Sequence, residues 1–383
     1  MGIYNIIIVL IFILFIVLAI YIISMPRASS NMIGGHQRHH LTYSLKADSG
    51  LDYSILKNML MLNFDEKNIS APYVDLSWGE VFTVTKNGRE TVEYPPEFER
   101  QRADLKFLLE SNDLKKLTEK ANLIENFKNK EFLAKSYQLK DFLPIAKSIL
   151  NGKTPYIVKK NIGYQQKSVR IILTYDQLIK AKEDFGINCI VSHYIQNTMQ
   201  SHGKKFHLRP YFLLYANPTT GIKKAFTFSQ YRMITAKKKY TPEDDCDLQK
   251  YYDDVEIHMS GGHHTDRLLF PSETDIPEHL IKKSLIELKK CTTAIENNFL
   301  ALNLRPYPES KAGFQVVCAD ILLTEDGHPY ILEINRRCGF SYGTAYGTAY
   351  GTANEKWKKM NAKFSTDFFH WVYDSVIQPH FRI

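Results

Sequence analysis

Short apolar runs recur along this chain, at residues 71–77, 155–159, 168–174, 188–195, 208–215, 314–323 and 329–334, and they predict β-strands. Between them, apolar positions at three- and four-residue spacing predict helices. Leu105, Leu108 and Leu109 mark one, and Ile281, Leu285, Leu288, Ile295 and Phe299 a second. Trp357, Met360, Phe364, Phe368, Trp371 and Val372 mark a third. The regular strand–helix alternation of a doubly wound sheet is absent, so the pattern predicts an α+β fold. Over residues 204–215, alternation puts Lys205, His207, Arg209 and Tyr211 on one face and Phe206, Leu208 and Phe212 mostly on the other. Such a basic row either lines an anionic site or is a polar edge strand.

The first residues break this pattern. Ile6 to Ile23 form an uncharged run of 18 residues, which with its flanks is about enough to cross a ~30 Å hydrocarbon core. No Lys or Arg precedes it, whereas Arg27, Arg38 and Lys46 follow, so the positive-inside rule turns the bulk of the chain to the cytosol. We therefore expect a single-pass anchor over residues 3–24 and a polar linker to residue 40, with the remainder facing the cytosol. Residues 41–383 exceed one core and suggest subdomains at 41–90, 91–195 and 196–383. Residues 342–353 are three copies of YGTA, whose four-residue period suits neither helix nor strand and reads as a surface loop.

Composition narrows the class. A net charge of +8 suits an acidic partner without calling for nucleic acid. Five cysteines, odd in number and without CxxC, point away from a disulfide framework and from a zinc module. No GxxxxGK[ST], GxGxxG or kinase-type catalytic loop is present, which argues against P-loop, Rossmann and protein-kinase chemistry.

The most informative stretch is FQVVCADILLTEDGHPYILEIN, residues 314–335. Asp326-Gly327 between two apolar runs predicts a hairpin with a two-residue type I′ turn. Residue 322 then faces 331, Asp320 faces Glu333, and Asn335 shares their face. Carboxylates ~5 Å apart repel by roughly 3 kcal/mol at an effective dielectric near ~20. Either a divalent cation offsets this, for which Asp, Glu and Asn oxygens are suitable Mg²⁺ ligands, or the carboxylates meet Arg336, Arg337 or solvent. A second cluster, PYIVKKNIGYQQKSV at 155–169, carries Lys159, Lys160 and Lys167 around a loop. It either covers a triphosphate or is a solvated loop. The run Lys237–Lys239 likewise either is solvated or steers an acidic partner.

Together these clusters resemble the tubulin–tyrosine ligase-like family, whose fold is ATP-grasp. The segments FLAKSYQL (132–139), YIVKK (156–160), residues 188–215, EIHMS (256–260) and CADILLTEDGHPYILEIN (318–335) follow its order, and YVDLSW (73–78) is similar to an upstream element. The resemblance implies antiparallel ATP-grasp sheets with flanking helices. It also implies ATP and Mg²⁺ as cofactors, with Asp320, Glu333 and Asn335 holding the metal. Lys159 and Lys167 would contact phosphates, with Ser192, Tyr194 and Ile195 at the adenine and Ser260 beside the nucleotide. Lys205, Arg209, Arg232 and His258 would serve substrate and phosphate.

The implied activity joins a free amino acid to a protein carboxylate through an acyl-phosphate, on tubulin or another protein with an acidic tail. The alternatives are a non-catalytic ATP- or microtubule-binding tether and a small-peptide ligase. Three departures stand out: His207 replaces an Asp, Ser168 a Gly and Gly261 an Asn. The first would complete a like-charged row with Lys205 and Arg209, which favours a neutral imidazole.

Overall fold

A computed structural model describes residues 41–383 apart from 47–52, 80–81, 87–88, 94–99, 162–167, 241–247, 259–266, 339–354 and residues 69, 110, 273, 309 and 337. The expected anchor and linker and the YGTA tract therefore lie outside the described residues.

The described chain opens with β1 (Leu41–Lys46), α1 (Tyr53–Leu60), β2 (Phe64–Glu66), β3 (Tyr73–Gly79), β4 (Phe82–Lys86), β5 (Arg89–Glu93) and β6 (Arg102–Lys106). Next come α2 (Ser111–Thr118), α3 (Lys120–Asn126), β7 (Ser136–Gln138), α4 (Leu139–Ile149), β8 (Tyr156–Lys160), β9 (Val169–Ile172), α5 (Tyr175–Phe185) and β10 (Cys189–His193). Five strands follow: β11 (Gln200–Ser201), β12 (Lys204–Arg209), β13 (Tyr211–Asn217), β14 (Ile222–Thr227) and β15 (Tyr231–Thr235). Helices α6 (Leu248–Asp253) and α7 (Val255–His258), strand β16 (Arg267–Phe270) and the long α8 (Glu278–Leu300) precede the hairpin of β17 (Ser310–Leu323) and β18 (Pro329–Asn335). Helix α9 (Glu355–Val372) packs near the end of the chain.

The large sheet runs β16-β15-β12-β17-β6-β3-β1-β2, with β13 and β18 also paired to β17. Its β2-β1-β3-β6-β17 portion is parallel and the rest antiparallel. The expected antiparallel sheets are thus corrected to a mixed one for the large sheet. The smaller sheet, β7-β10-β8-β9, is antiparallel throughout.

Alternation along the central strands feeds two cores. Phe206, Leu208, Val317, Ala319 and Ile321 pack with Leu288, Cys291, Ile295 and Phe299 of α8. Tyr211, Leu213, Phe314, Val316 and Cys318 pack on the opposite face with Phe364, Phe368 and Val372 of α9. Because β17 is covered on both faces, it reads as a continuous apolar run. The helix expected at Leu105–Leu109 is instead the end of β6 and the loop after it. Leu105 belongs to the α9 core and Leu109 to the α8 core, so their spacing imitates a helical stripe. The helices expected around residues 281–299 and 357–372 are α8 and α9. In the smaller sheet Tyr156, Val158, Cys189 and Val191 face α4 and α5. The start of α5 is set by a Thr174–Gln177 capping box.

Where β17 leaves its parallel neighbour, Gly313 lies so close to the preceding chain that an added Cβ would stand 2.6 Å from the Leu108 carbonyl oxygen and 2.9 Å from the Pro306 Cα. Both neighbours are backbone and cannot rotate away. Gly313→Ala should therefore cost about 1–3 kcal/mol as overpacking, read as a lower urea midpoint. An unchanged midpoint would show that the two segments separate freely.

Candidate functional site

The site begins with β12. Its apolar residues Phe206 and Leu208 face α8, which forces Lys205, His207 and Arg209 onto the other face. Arg209 grips Asp320 of β17 with both arms, Nε donating to Oδ1 at 2.7 Å and Nη2 to Oδ2 at 2.9 Å. His207 Nε2 lies 3.4 Å from the same Oδ1. Burial alone would raise the Asp320 carboxyl, but Arg209 and His207 outweigh it and hold Asp320 well below the usual carboxylate range. Burial likewise opposes the Arg209 charge, and Asp320 more than offsets it. The like-charged row expected of Lys205, His207 and Arg209 is corrected accordingly: a carboxylate from β17 stands beside two of its members. Tyr211 does not extend the row, because the strand breaks at Pro210 and Tyr211 enters the α9 core.

Glu333 pairs with Asp320 across the hairpin, as expected, but by a different route. The Gly327 N–H donates to the Thr324 carbonyl at 2.8 Å, and Gly327 has φ 85°. This is a three-residue loop rather than the expected two-residue type I′ turn. It shifts the register so that Leu322 faces Tyr330 instead of residue 331. An irregularity between Asp320 and Ile321, which leaves Leu332 as an extra residue, then restores the Asp320–Glu333 pair.

Glu333 Oε2 meets Lys120 Nζ of α3 at 3.1 Å, and Asn335 Nδ2 donates to Glu333 Oε1 at 3.1 Å and to Asp320 Oδ2 at 3.4 Å. The repulsion between the carboxylates is thus offset by Arg209 on one side and Lys120 on the other. Lys159 of β8 keeps part of its surface open, yet burial pulls its ammonium down to about 8 against the pull of Glu333, with Lys120 adding to the fall. Lys120 escaped the sequence reading. Its signal is a cation at the first residue of a helix, where it opposes the macrodipole.

Lys205 is 6% exposed and enters a tyrosine-lined pocket. Its Nζ donates to the Tyr194 hydroxyl at 2.9 Å and lies 4.2 Å from the Tyr194 ring centroid and 5.3 Å from that of Tyr240. Tyr194 Oη is 2.8 Å from His258 Nδ1, and His258 Nε2 is 2.8 Å from the Tyr251 carbonyl. Burial, with help from Lys159, pulls Lys205 down to about 7. Burial and Lys205 take His258 down to about 4. Tyr240, Tyr251 and Tyr252 carried no motif, since segments far apart in sequence bring them together.

The basic run is tied back onto the protein. Lys237 Nζ lies 2.5 Å from Glu256, and Lys238 Nζ lies 2.7 Å from Asp254 and 3.2 Å from Glu256, on the segment that carries His258.

The remaining expected residues divide. Arg232 faces Arg209 across β15 and β12, with its guanidinium 4.2 Å from the Phe364 ring centroid. Ser192 lies inside the small sheet between β7 and β8, its Oγ 2.7 Å from Ser136 Oγ. The His193 and Tyr194 N–H groups donate to the Lys135 and Pro155 carbonyls. Ile195 is the second residue past the end of β10. Lys167 and Ser260, like Gly261, lie outside the described residues.

Asp320, Glu333 and Asn335 therefore converge with Lys120, Lys159 and Arg209, while Lys205, Tyr194 and His258 form an adjoining cluster. Among the described residues no three His, Cys, Asp or Glu gather as an all-protein metal cage. Mg²⁺ takes one or two carboxylates alongside phosphates, and the hard oxygens of Asp320, Glu333 and Asn335 fit that mode.

A family model described as the tubulin-tyrosine ligase family matches residues 83–346, well over half of the chain. No significant match is found among curated proteins.

Proposed function

The chain belongs to the tubulin-tyrosine ligase family, and from that premise we propose that it joins an amino acid to a carboxylate of tubulin or of another acidic-tailed protein. Membership supports an ATP-dependent carboxylate–amine ligase in general terms. One observation carries the reading to these residues: Asp320 and Glu333 stand opposite each other with Lys120, Lys159 and Arg209 gathered around them, and Lys205 lies in the adjoining tyrosine pocket.

A carboxylate is a poor electrophile, so an amide bond requires its activation. In the proposed reaction the acceptor carboxylate oxygen bonds to the γ-phosphorus and ADP departs. The amine then attacks the acyl carbon and phosphate leaves. Lys120 and Lys159, with Lys167, neutralise phosphate oxygens, and Lys205 and Arg209 hold the charge that develops beside the transferred group. Asp320, Glu333 and Asn335 would hold Mg²⁺, which supplies charge neutralisation between phosphate oxygens. The Ile195 peptide, just past the strand end, is the natural adenine contact. Arg232, beside Arg209, is suited to a substrate carboxylate.

The reading includes attachment to a membrane through residues 3–24, supported by the uncharged run Ile6–Ile23. No helix among the described residues is long and apolar enough to span a bilayer.

The test incubates the full chain in detergent with ATP, tubulin and each amino acid in turn, followed by mass spectrometry. A mass increment of one or more aminoacyl units on tubulin is expected. Tubulin binding without ATP consumption would instead identify a tether, and modification of free dipeptides would identify a small-peptide ligase.

A further inference from the structure

His258 does not reach toward the carboxylate pair: it is 6% exposed, with the Tyr252 ring stacked on it at 5.2 Å. Donor and acceptor accounting gives it a different task. The Tyr251 carbonyl can only accept, so His258 Nε2 carries the proton that it donates at 2.8 Å. The imidazole is neutral at ordinary pH, since burial holds its titration far down, and Nδ1 is therefore a bare acceptor. The Tyr194 hydroxyl at 2.8 Å must spend its hydrogen on that nitrogen. The lone pairs of Tyr194 Oη then face Lys205, whose ammonium donates to them at 2.9 Å. Every hydrogen in the sequence Lys205, Tyr194, His258, Tyr251 carbonyl is directed by its neighbour.

We propose that Tyr194 and His258 are positioning residues for Lys205, a one-way hydrogen-bond chain that aims its ammonium while leaving its charge unspent. The usual way to fix a buried lysine is a carboxylate, which would cancel the charge locally. No carboxylate contacts the Lys205 ammonium among the described residues. The groups that face it are Tyr194 at the end of β10, Tyr240 after β15, His258 on α7 and Lys159 on β8. Behind them stand Tyr251 and Tyr252 on α6, and Asp254, which is bound to Lys238. Tyr240 is itself fixed, because its hydroxyl donates to the Gln196 carbonyl at 2.8 Å. One N–H of Lys205 is thus committed to Tyr194, and among the described residues no hydrogen-bond acceptor takes the other two, which remain for the oxygens of a polyanion. That a polyanion is ATP rests on the function proposed above.

The test uses the full chain in detergent. Tyr194→Phe keeps the ring and deletes the hydroxyl, His258→Phe keeps the stack and breaks the chain, and His258→Gln restores one donor and one acceptor. Both Phe variants should bind ATP about tenfold more weakly in calorimetry, Tyr194→Phe by loss of the hydrogen bond to the Lys205 ammonium and His258→Phe by loss of the acceptor that orients that bond, with a cooperative thermal melt showing that each stays folded. His258→Gln should recover part of the loss. The double variant should be no worse than either single one, because the chain acts as a unit. Additive losses, or unaltered affinity in both Phe variants, would overturn the proposal.

A second readout needs no ligand: the Lys205 titration followed by NMR of ¹³C-labelled lysine. Both Phe variants must move it, and an unmoved titration overturns the chain. If wild type fails to bind ATP while the Lys205 titration still responds, the functional reading fails and the positioning chain stands.

Discussion

Glu333→Gln is expected to lower ATP-dependent turnover at least about a hundredfold while the protein stays folded. The two carboxylates at the hairpin are not equivalent. Asp320 has both oxygens engaged by Arg209, whereas the Glu333 side chain is 31% exposed and held by the partly buried Lys120. Glu333 is therefore the carboxylate with capacity left for a divalent cation beside phosphate. Glutamine has the same shape, and its single amide oxygen can accept from either Asn335 Nδ2 or Lys120 Nζ, so one of the two contacts is kept. The Glu333 end of its pair with Lys120 remains open to solvent, so the variant is expected to stay folded. What disappears is one negative charge where the proposed chemistry needs it. Phosphate release and the mass increment on tubulin measure the loss, with a thermal melt as the control. Turnover near the wild-type rate would show that Glu333 holds no cation.

Much of this site was legible because β12 has two unlike faces. Phe206 and Leu208 must face α8, so alternation alone places Lys205, His207 and Arg209 together. The Asp320–Glu333 pair was legible for a less secure reason. Two local errors cancel, since the three-residue loop moves the register by one and the irregularity after Asp320 moves it back. What stayed hidden depends on neighbours remote in sequence. Charge balance reckoned within one hairpin omitted Arg209 from β12 and Lys120 from α3, and so left a repulsion that the folded chain removes. The tyrosine pocket around Lys205 joins β10, the loop after β15 and the α6–α7 segment, and no periodicity links these. The false helix at Leu105–Leu109 has the same root, because Leu105 and Leu109 serve different cores.

Removing the Asp320 carboxylate should be the most destabilising single change at the site. Its side chain is 8% exposed and that of Arg209 14%, so Asp320→Ala strands a guanidinium away from solvent and leaves His207 without the acceptor beside it. Breaking such a buried pair from one side costs about 3–5 kcal/mol, chiefly the desolvation of the charge left behind. Replacing both partners by apolar residues removes that penalty, so Arg209→Met with Asp320→Leu should recover most of the stability and none of the turnover. Acid gives an independent check on the sign. The Asp320 carboxyl is depressed on folding, so its contribution is fully present above the unfolded value of about 3.9 and is lost as pH falls through the lower folded value. The gap in urea midpoint between wild type and Asp320→Ala should therefore hold from neutral pH down to the ordinary carboxylate range and close only in stronger acid. A gap that closes near neutral pH would show that a histidine, rather than Asp320, governs the pair. A single Asp320→Ala variant as stable as wild type would mean that the Arg209 charge finds solvent when its partner is removed.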